Sequence, residues 1–139
     1  MSITAYITRA DFVIPEDKVS KVFDKAYAYI IGQESQTNPN SKFKDVFDLS
    51  DLMNKSFLNH KVEDNGDITI TGHDATLTYA TSILEFAAPY VKEGSFVEWE
   101  EEDGAIRLDE VINSKYDYGD PYEPDWVEDD WYTGEYDEY

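Results

Sequence analysis

The sequence contains no cysteine and only two histidines among its 139 residues. Without cysteine there is no disulfide, no thiolate zinc site and no cysteine nucleophile, and two histidines leave little imidazole chemistry. No G-x-S-x-G, P-loop or G-x-G-x-x-G motif occurs, although these motifs mark many hydrolases and nucleotide-binding enzymes. We therefore expect a protein that is not an enzyme and that needs no cofactor.

Long hydrophobic runs are also missing from the sequence. No apolar stretch reaches the roughly 18 residues of a membrane-spanning helix. The first residues, MSITAYITRADF, lack the basic region and hydrophobic stretch of a secretory signal peptide. We therefore expect a cytoplasmic protein, acting in the host cytosol if it is encoded by a phage.

Basic residues are scarce. The chain has 11 Lys+Arg against 31 Asp+Glu, which gives a formal net charge of −20. The imbalance is regional, because residues 1–92 carry a net charge of −4 and residues 93–139 carry −16. Lysine and arginine are what neutralise phosphates, so this surface repels DNA and RNA. Direct nucleic-acid binding is excluded on charge, and a basic protein partner is expected.

The spacing of apolar residues predicts an α+β fold. We expect a single domain, because a chain of this length is too short for two ordinary domains. The predicted elements are a strand at 2–8, helices at 15–32, 47–57 and 77–89, and a strand at 68–71. Gly32 is expected to end the first helix, leaving a loop over 33–44, and Ser50 to cap the second. The third helix is expected to begin at Asp74 or Thr76. The fold class is thus a small, mainly antiparallel sheet covered by about three helices, with a domain at 1–112 and an acidic aromatic tail at 113–139.

A β-hairpin is predicted around Asp103-Gly104, a dipeptide that suits a two-residue turn. That turn would place Glu100 opposite Arg107 and Glu98 opposite Asp109. Glu98, Glu100 and Asp109 would then share the outward face of the hairpin. The inward face would hold Val97, Trp99, Ile106 and Leu108.

The end of the chain has an unusual composition. Residues 116–139 contain ten acids, eight aromatics and no base. Solvated acidic tails are normally poor in aromatics, whereas Tyr and Trp anchor interfaces. Two interpretations stay open: the aromatics dock on the protein's own body or on a second copy, or the segment is a disordered solubilising tail. No calcium loop of the form D-x-D-x-D-G-x₅-E is present, so no metal site is expected.

Two resemblances follow from these residues. The segments Gly66–Ile68 (GDI) and Ala88–Glu98 (APYVKEGSFVE) resemble a group of small phage and bacterial proteins of unassigned function, in which G-D-I and A-P-Y-V-x-x-G-S-x-I/V-E segments precede a hairpin. This resemblance covers about 35 residues and implies an α+β fold without a function; the acidic aromatic tail departs from it. In charge, size and aromatic content the chain is similar to nucleic-acid-mimic inhibitors from mobile elements, including anti-restriction and anti-CRISPR proteins.

The sequence therefore predicts an acidic inhibitor that occupies the DNA- or RNA-binding site of a basic host defence nuclease. Duplex DNA carries one charge per about 1.7 Å, so 16 charges correspond to about 27 Å, or roughly 8 base pairs. The alternative is an acidic protein–protein interaction module, or regulator, that docks through its aromatic tail. The predicted partner-binding residues are Glu98, Glu100, Glu101, Glu102, Asp103, Asp109, Asp125, Trp126, Glu128, Asp129, Asp130 and Trp131.

Overall fold

The structure is a computed structural model that describes residues 5–37, 42–73 and 79–120. These residues form two antiparallel sheets, of four and three strands, together with three α-helices. The predicted α+β fold class is therefore confirmed. None of the helices within the described ranges has the length and apolar character needed to cross a bilayer.

The elements alternate along the chain. The helices are α1 (Val19–Thr37), α2 (Leu49–Lys55) and α3 (Ala80–Ala87), and short 3₁₀ turns cover Glu16–Lys18, Lys42–Asp45 and Ala88–Tyr90. The strands are β1 (Ala5–Asp11), β2 (Val13–Ile14), β3 (Leu58–Val62), β4 (Ile68–His73), β5 (Phe96–Glu101), β6 (Ile106–Ile112) and β7 (Lys115–Asp117). The strand order is β1-β5-β6-β7 in the larger sheet and β2-β4-β3 in the smaller one.

Helix α1 continues past the glycine at which we expected it to end. Val22, Ala26 and Ile30 are spaced one helical turn apart and are fully buried, so this face of the helix packs on the core. A glycine inside a helix costs only about 1 kcal/mol relative to alanine, and Gly32 lies within the helix. Packing of the apolar face outweighs that cost, so residues 33–37 of the predicted loop are helical.

Helix α2 begins at a different cap from the predicted one. The Asp48 carboxylate accepts a hydrogen bond from the Asp51 backbone N–H at 2.8 Å and makes Asp48 the N-cap. Ser50 instead lies inside the helix, with its hydroxyl 2.7 Å from Nε2 of His60. The caps predicted for the third helix, Asp74 and Thr76, lie outside the described residues.

The β5–β6 hairpin forms as predicted, but its register is shifted by one residue. The Glu101 backbone N–H donates to the Ala105 carbonyl at 2.8 Å, so three residues, 102–104, form the loop. Gly104 has a φ of +92°, which is typical of the last residue in a three-residue hairpin loop. Trp99 therefore lies opposite Arg107. A shift of one residue moves every side chain of β6 to the other face.

Strand β7 extends the larger sheet beyond residue 112, where we expected the domain to end. Val111 of β6 pairs with Tyr116 of β7, and both side chains are buried. Burial, together with the nearby Asp109 carboxylate, raises the pKa of the Tyr116 hydroxyl well above its ordinary value. The first residues of the predicted tail therefore belong to the sheet, and residues 121–139 lie outside the described part of the chain.

Candidate partner-binding surface

The larger sheet packs one face on the core and turns the other away from it. We call the second one the outer face. Strand pairing assigns to it Tyr6, Arg9, Asp11, Phe96, Glu98, Glu100, Ile106, Leu108, Glu110, Ile112, Lys115 and Asp117. The inner face carries buried Val97 and Trp99, as the sequence predicted.

Asp109 lies on the inner face and is fully buried. Its carboxylate accepts hydrogen bonds from Trp99 Nε1 at 3.0 Å, from Arg107 Nε at 2.9 Å and from the Tyr116 hydroxyl at 2.7 Å. It also accepts one from the Gly119 backbone N–H at 3.0 Å. The prediction of an outward, partner-binding Asp109 was therefore wrong, because the hairpin loop has three residues rather than two. Asp109 is a buried acceptor that ties β5, β6 and the end of β7 together.

Arg107 supplies the positive charge beside Asp109. Its guanidinium lies 5.5 Å from the Trp99 ring centre and 5.6 Å from that of Tyr118, which are cation–π distances. Arg107 Nη1 also lies 3.8 Å from the Glu101 carboxylate. Glu101 therefore faces inward and is partly neutralised, which makes it a poorer candidate for partner contact than the sequence suggested.

Glu98 lies on the outer face, as predicted, but it is paired within the protein. Its carboxylate accepts hydrogen bonds from Arg9 at 3.2 and 3.3 Å and from the Thr8 hydroxyl at 3.0 Å. The Arg9 hydrogen bond is the main reason why the pKa of Glu98 lies below its usual value. Sequence reasoning missed this pairing because a bulge in β1 between Ile7 and Arg9 sets which side chain meets Glu98.

Replacing Arg9 with glutamine should raise the pKa of Glu98 and remove a pH-dependent part of the stability. A lowered pKa in the folded state stabilises the protein above the unfolded pKa of about 4.3, and this contribution is lost as the pH falls through the folded value. The difference in urea midpoint between wild type and Arg9→Gln should therefore be present above about pH 4.3 and shrink at lower pH. Carboxyl NMR titration of Glu98 measures the shift directly.

Lys61→Gln is the matched control. It removes the exposed ion pair between Lys61 and Glu63 at 3.5 Å and leaves the outer face of the larger sheet unchanged. It should leave the Glu98 titration unchanged. An unaltered Glu98 pKa in Arg9→Gln would show that the Arg9 contact does not hold the carboxylate.

The remaining hairpin acids lie at the surface, where one carboxylate oxygen of Asp103 accepts a hydrogen bond from the Ala105 backbone N–H at 3.0 Å. Glu100, Glu102 and Asp103 are exposed, and Glu110 is half-buried on the outer face. The sequence-based register placed Glu110 on the inward side, so it was missed, although the three-residue loop puts it on the same face as Glu98 and Glu100, opposite Phe96. The hairpin acids are therefore Glu98, Glu100, Glu102, Asp103 and Glu110. The other predicted partner-binding residues, Asp125, Trp126, Glu128, Asp129, Asp130 and Trp131, lie outside the described residues.

A separate cavity of about 380 Å³ lies between the start of α1 and the start of α2. Val19, Phe23, Phe47 and Leu49 form much of its lining, so it shares no residue with the hairpin acids. Among the described residues, no three His, Cys, Asp or Glu side chains are grouped so that they could hold a metal ion.

Comparison of the chain with protein-family models, with curated proteins and with solved structures finds no match.

Proposed function

We propose that this protein is an acidic inhibitor that occupies the DNA- or RNA-binding site of a basic host protein. A host defence nuclease, of the kind targeted by anti-CRISPR or anti-restriction proteins, is the partner class that fits best. The observation that carries the proposal is the set of outward carboxylates on the β5–β6 hairpin, in a chain with a net charge of −20.

The spacing of the hairpin acids supports this proposal. Glu98 and Glu100 lie on the same face of β5, two residues apart, which corresponds to about 6.8 Å along an antiparallel strand. Two nucleotides of one DNA strand rise by the same distance, at about 3.4 Å each. Lysines and arginines spaced to fit every second phosphate of one strand are therefore able to meet these two carboxylates.

Apolar side chains lie beside these carboxylates. Phe96, Ile106 and Leu108 share the outer face with Glu98 and Glu100. Grooves that hold nucleic acid often combine cationic residues with surfaces for bases or sugars. The apolar side chains supply contacts to such surfaces, and the carboxylates supply the charge.

The proposed place of action is the cytoplasm, and the host cytosol in particular if a phage encodes the protein. A chain without cysteine does not depend on an oxidising compartment for its stability. Defence nucleases and their nucleic-acid targets share the cytosol, so the proposed partner is found there.

Capture from a bacterial lysate tests the proposal. The immobilised protein should retain a basic nucleic-acid-binding protein at low salt, and either raised salt or added oligonucleotide should release it, because both weaken the charge contacts. A control resin should carry the variant with Glu100, Glu102 and Asp103 all changed to lysine, and it should retain less of that protein.

Capture that resists both salt and oligonucleotide would contradict the mimic and favour the alternative, an interaction module that docks by apolar contacts. Loss of capture when Trp126 or Trp131 alone is replaced would also favour the interaction module, because a few aromatic residues dominate such interfaces.

A further inference from the structure

The cavity between the start of α1 and the start of α2 has a largely apolar lining. Val19 and Phe23 lie one turn apart on α1 and contribute to it from the helix. Phe47 and Leu49 contribute from the start of α2. Its volume of about 380 Å³ falls in the range of about 300–1,000 Å³ that is usual for pockets binding small organic molecules. The cavity is therefore large enough for a small organic ligand.

Phe47 leaves most of its side chain uncovered at this cavity. It is 78% exposed, the highest value among the exposed large hydrophobic residues of the described chain. The neighbouring Phe23 ring is stacked on Tyr27, with the ring centres 5.2 Å apart, so its position is fixed. A ligand with an apolar body would cover the Phe47 ring and remove apolar area from water, which favours binding.

The charged side chains that line the cavity in the described part of the chain are both acidic. They are Glu16 and Asp48, and neither forms an ion pair with a described lysine or arginine. One oxygen of Asp48 accepts the N-cap hydrogen bond from the Asp51 N–H at 2.8 Å, and the cap does not use the other oxygen. The cavity therefore offers negative charge and hydrogen-bond acceptors to a ligand.

The turn between β3 and β4 holds the acidic edge of the cavity in place. The Glu16 backbone N–H donates to the Asp67 carboxylate at 2.8 Å. Gly66 lines the cavity with a φ of +95°, and a Cβ at this position would overlap the Glu16 side chain. Glycine therefore lets the turn pack closely on Glu16. An edge that is formed before binding lowers the cost of ordering it around a ligand.

We propose that this cavity binds a small organic cation that carries an aromatic ring, an arylalkylammonium ion. The ammonium group would lie near Glu16 and Asp48, and the aromatic ring would lie against Phe23 and Phe47, since aromatic rings pair favourably in stacked or edge-on arrangements. The net charge of −20 favours cations over anions around the whole protein. Such binding does not depend on the proposed inhibition, because the hairpin acids lie outside the cavity.

NMR titration of the full chain with phenylpropylammonium chloride tests this site. We expect saturable shifts of the amide signals of Val19, Ser20 and Leu49, which line the cavity. Phenylpropanol has the same apolar body without the charge and should bind severalfold more weakly, and phenylpropionate, with the opposite charge, should bind most weakly. Propylammonium has the charge but no ring. It should give only small shifts that do not saturate, because a strongly acidic protein attracts any cation weakly.

Two kinds of variant separate the apolar and the charged contribution. Phe47→Ser should weaken phenylpropylammonium binding severalfold and leave the core intact, because the side chain is already exposed. Tyr6→Ser is the matched control: it removes an aromatic residue that is 49% exposed on the larger sheet, so the affinity should equal that of the wild type. Glu16→Gln and Asp48→Asn should each weaken binding up to about fivefold, the value of one exposed ion pair, without changing the affinity for phenylpropanol. Asparagine also caps helices, so α2 stays intact.

Equal affinity for phenylpropylammonium and phenylpropanol would overturn the proposal, because the two carboxylates would then contribute nothing to binding. Shifts that propylammonium reproduces, or that spread over the hairpin acids, would also overturn it, since the cation would then respond to the charge of the whole surface. If the amide signals of Val19, Ser20 and Leu49 showed no saturable shift, the cavity would not be a site for this class of ligand.

Discussion

Replacing Asp109 with alanine is expected to destabilise the protein by about 3–5 kcal/mol, the cost of breaking a buried ion pair by removing one partner. The substitution leaves the Arg107 guanidinium without its main counter-charge, at a site where the side chain is only 14% exposed. It also removes the acceptor for the Trp99 indole N–H and the Tyr116 hydroxyl. Removing the acceptor of a buried donor costs about 1–3 kcal/mol, although such costs do not simply add. Urea denaturation followed by circular dichroism measures the loss.

Two further variants make this result specific. Glu100→Ala removes an exposed carboxylate from the neighbouring strand and should change the stability by no more than about 0.5 kcal/mol. Asp109→Asn keeps one acceptor oxygen but loses the charge that faces Arg107, so its stability should lie between those of wild type and Asp109→Ala. A near-wild-type midpoint for Asp109→Ala would mean that the residue faces solvent and that the two-residue hairpin register is the correct one.

Reversing three exposed hairpin acids should weaken partner binding by several kcal/mol, because like charges facing each other across an interface cost that much. The variant changes Glu100, Glu102 and Asp103 to lysine. These three are chosen because Glu101 and Asp109 face inward and Glu98 is paired with Arg9. Association should slow as well, since these charges steer the encounter. Surface plasmon resonance at two salt concentrations gives both quantities.

Single substitutions and a charge-matched control separate a distributed charge effect from other causes. Each of the three acids changed alone to alanine should cost about 0.2–1 kcal/mol, as exposed ion pairs do. Changing Asp17, Asp24 and Asp64, all exposed, to lysine alters the net charge by the same amount away from the hairpin. That control should bind much more tightly than the hairpin variant. If one alanine abolished binding, the energy would lie in a single contact rather than in a charge array.

The types of the predicted helices and strands could be inferred from the spacing of apolar residues, but the hairpin register and the ends of the elements could not. The alternation in β5 and the helical spacing from Val22 to Ile30 survive in the structure because each places apolar residues on one buried face. The hairpin register depends on whether the loop has two or three residues, and Glu102-Asp103-Gly104 allows both. The difference is one residue, and it decides whether Asp109 or Glu110 faces outward.

Two of the three strands that sequence reasoning missed, β3 and β7, have a common physical reason. β3 contains Asn59, His60 and Lys61, and β7 has only three residues, so neither shows an apolar alternation of its own. Each forms because a neighbouring strand offers it hydrogen bonds and, in β7, because the Tyr116 ring is buried on the core. Such contacts between distant parts of the chain are not visible in a local pattern. The hydrogen bond from the Gly119 N–H to Asp109 is another contact of this kind.

The central claim is that the protein takes the place of a nucleic acid in a basic site, and competition at that site tests it most directly. The purified partner is loaded with a fluorescent oligonucleotide that it binds, and the protein is then added while anisotropy is recorded. The account predicts complete displacement, with an apparent affinity that falls steeply as salt rises, and little displacement by the variant with Glu100, Glu102 and Asp103 changed to lysine. A stable complex containing partner, oligonucleotide and protein together would contradict it.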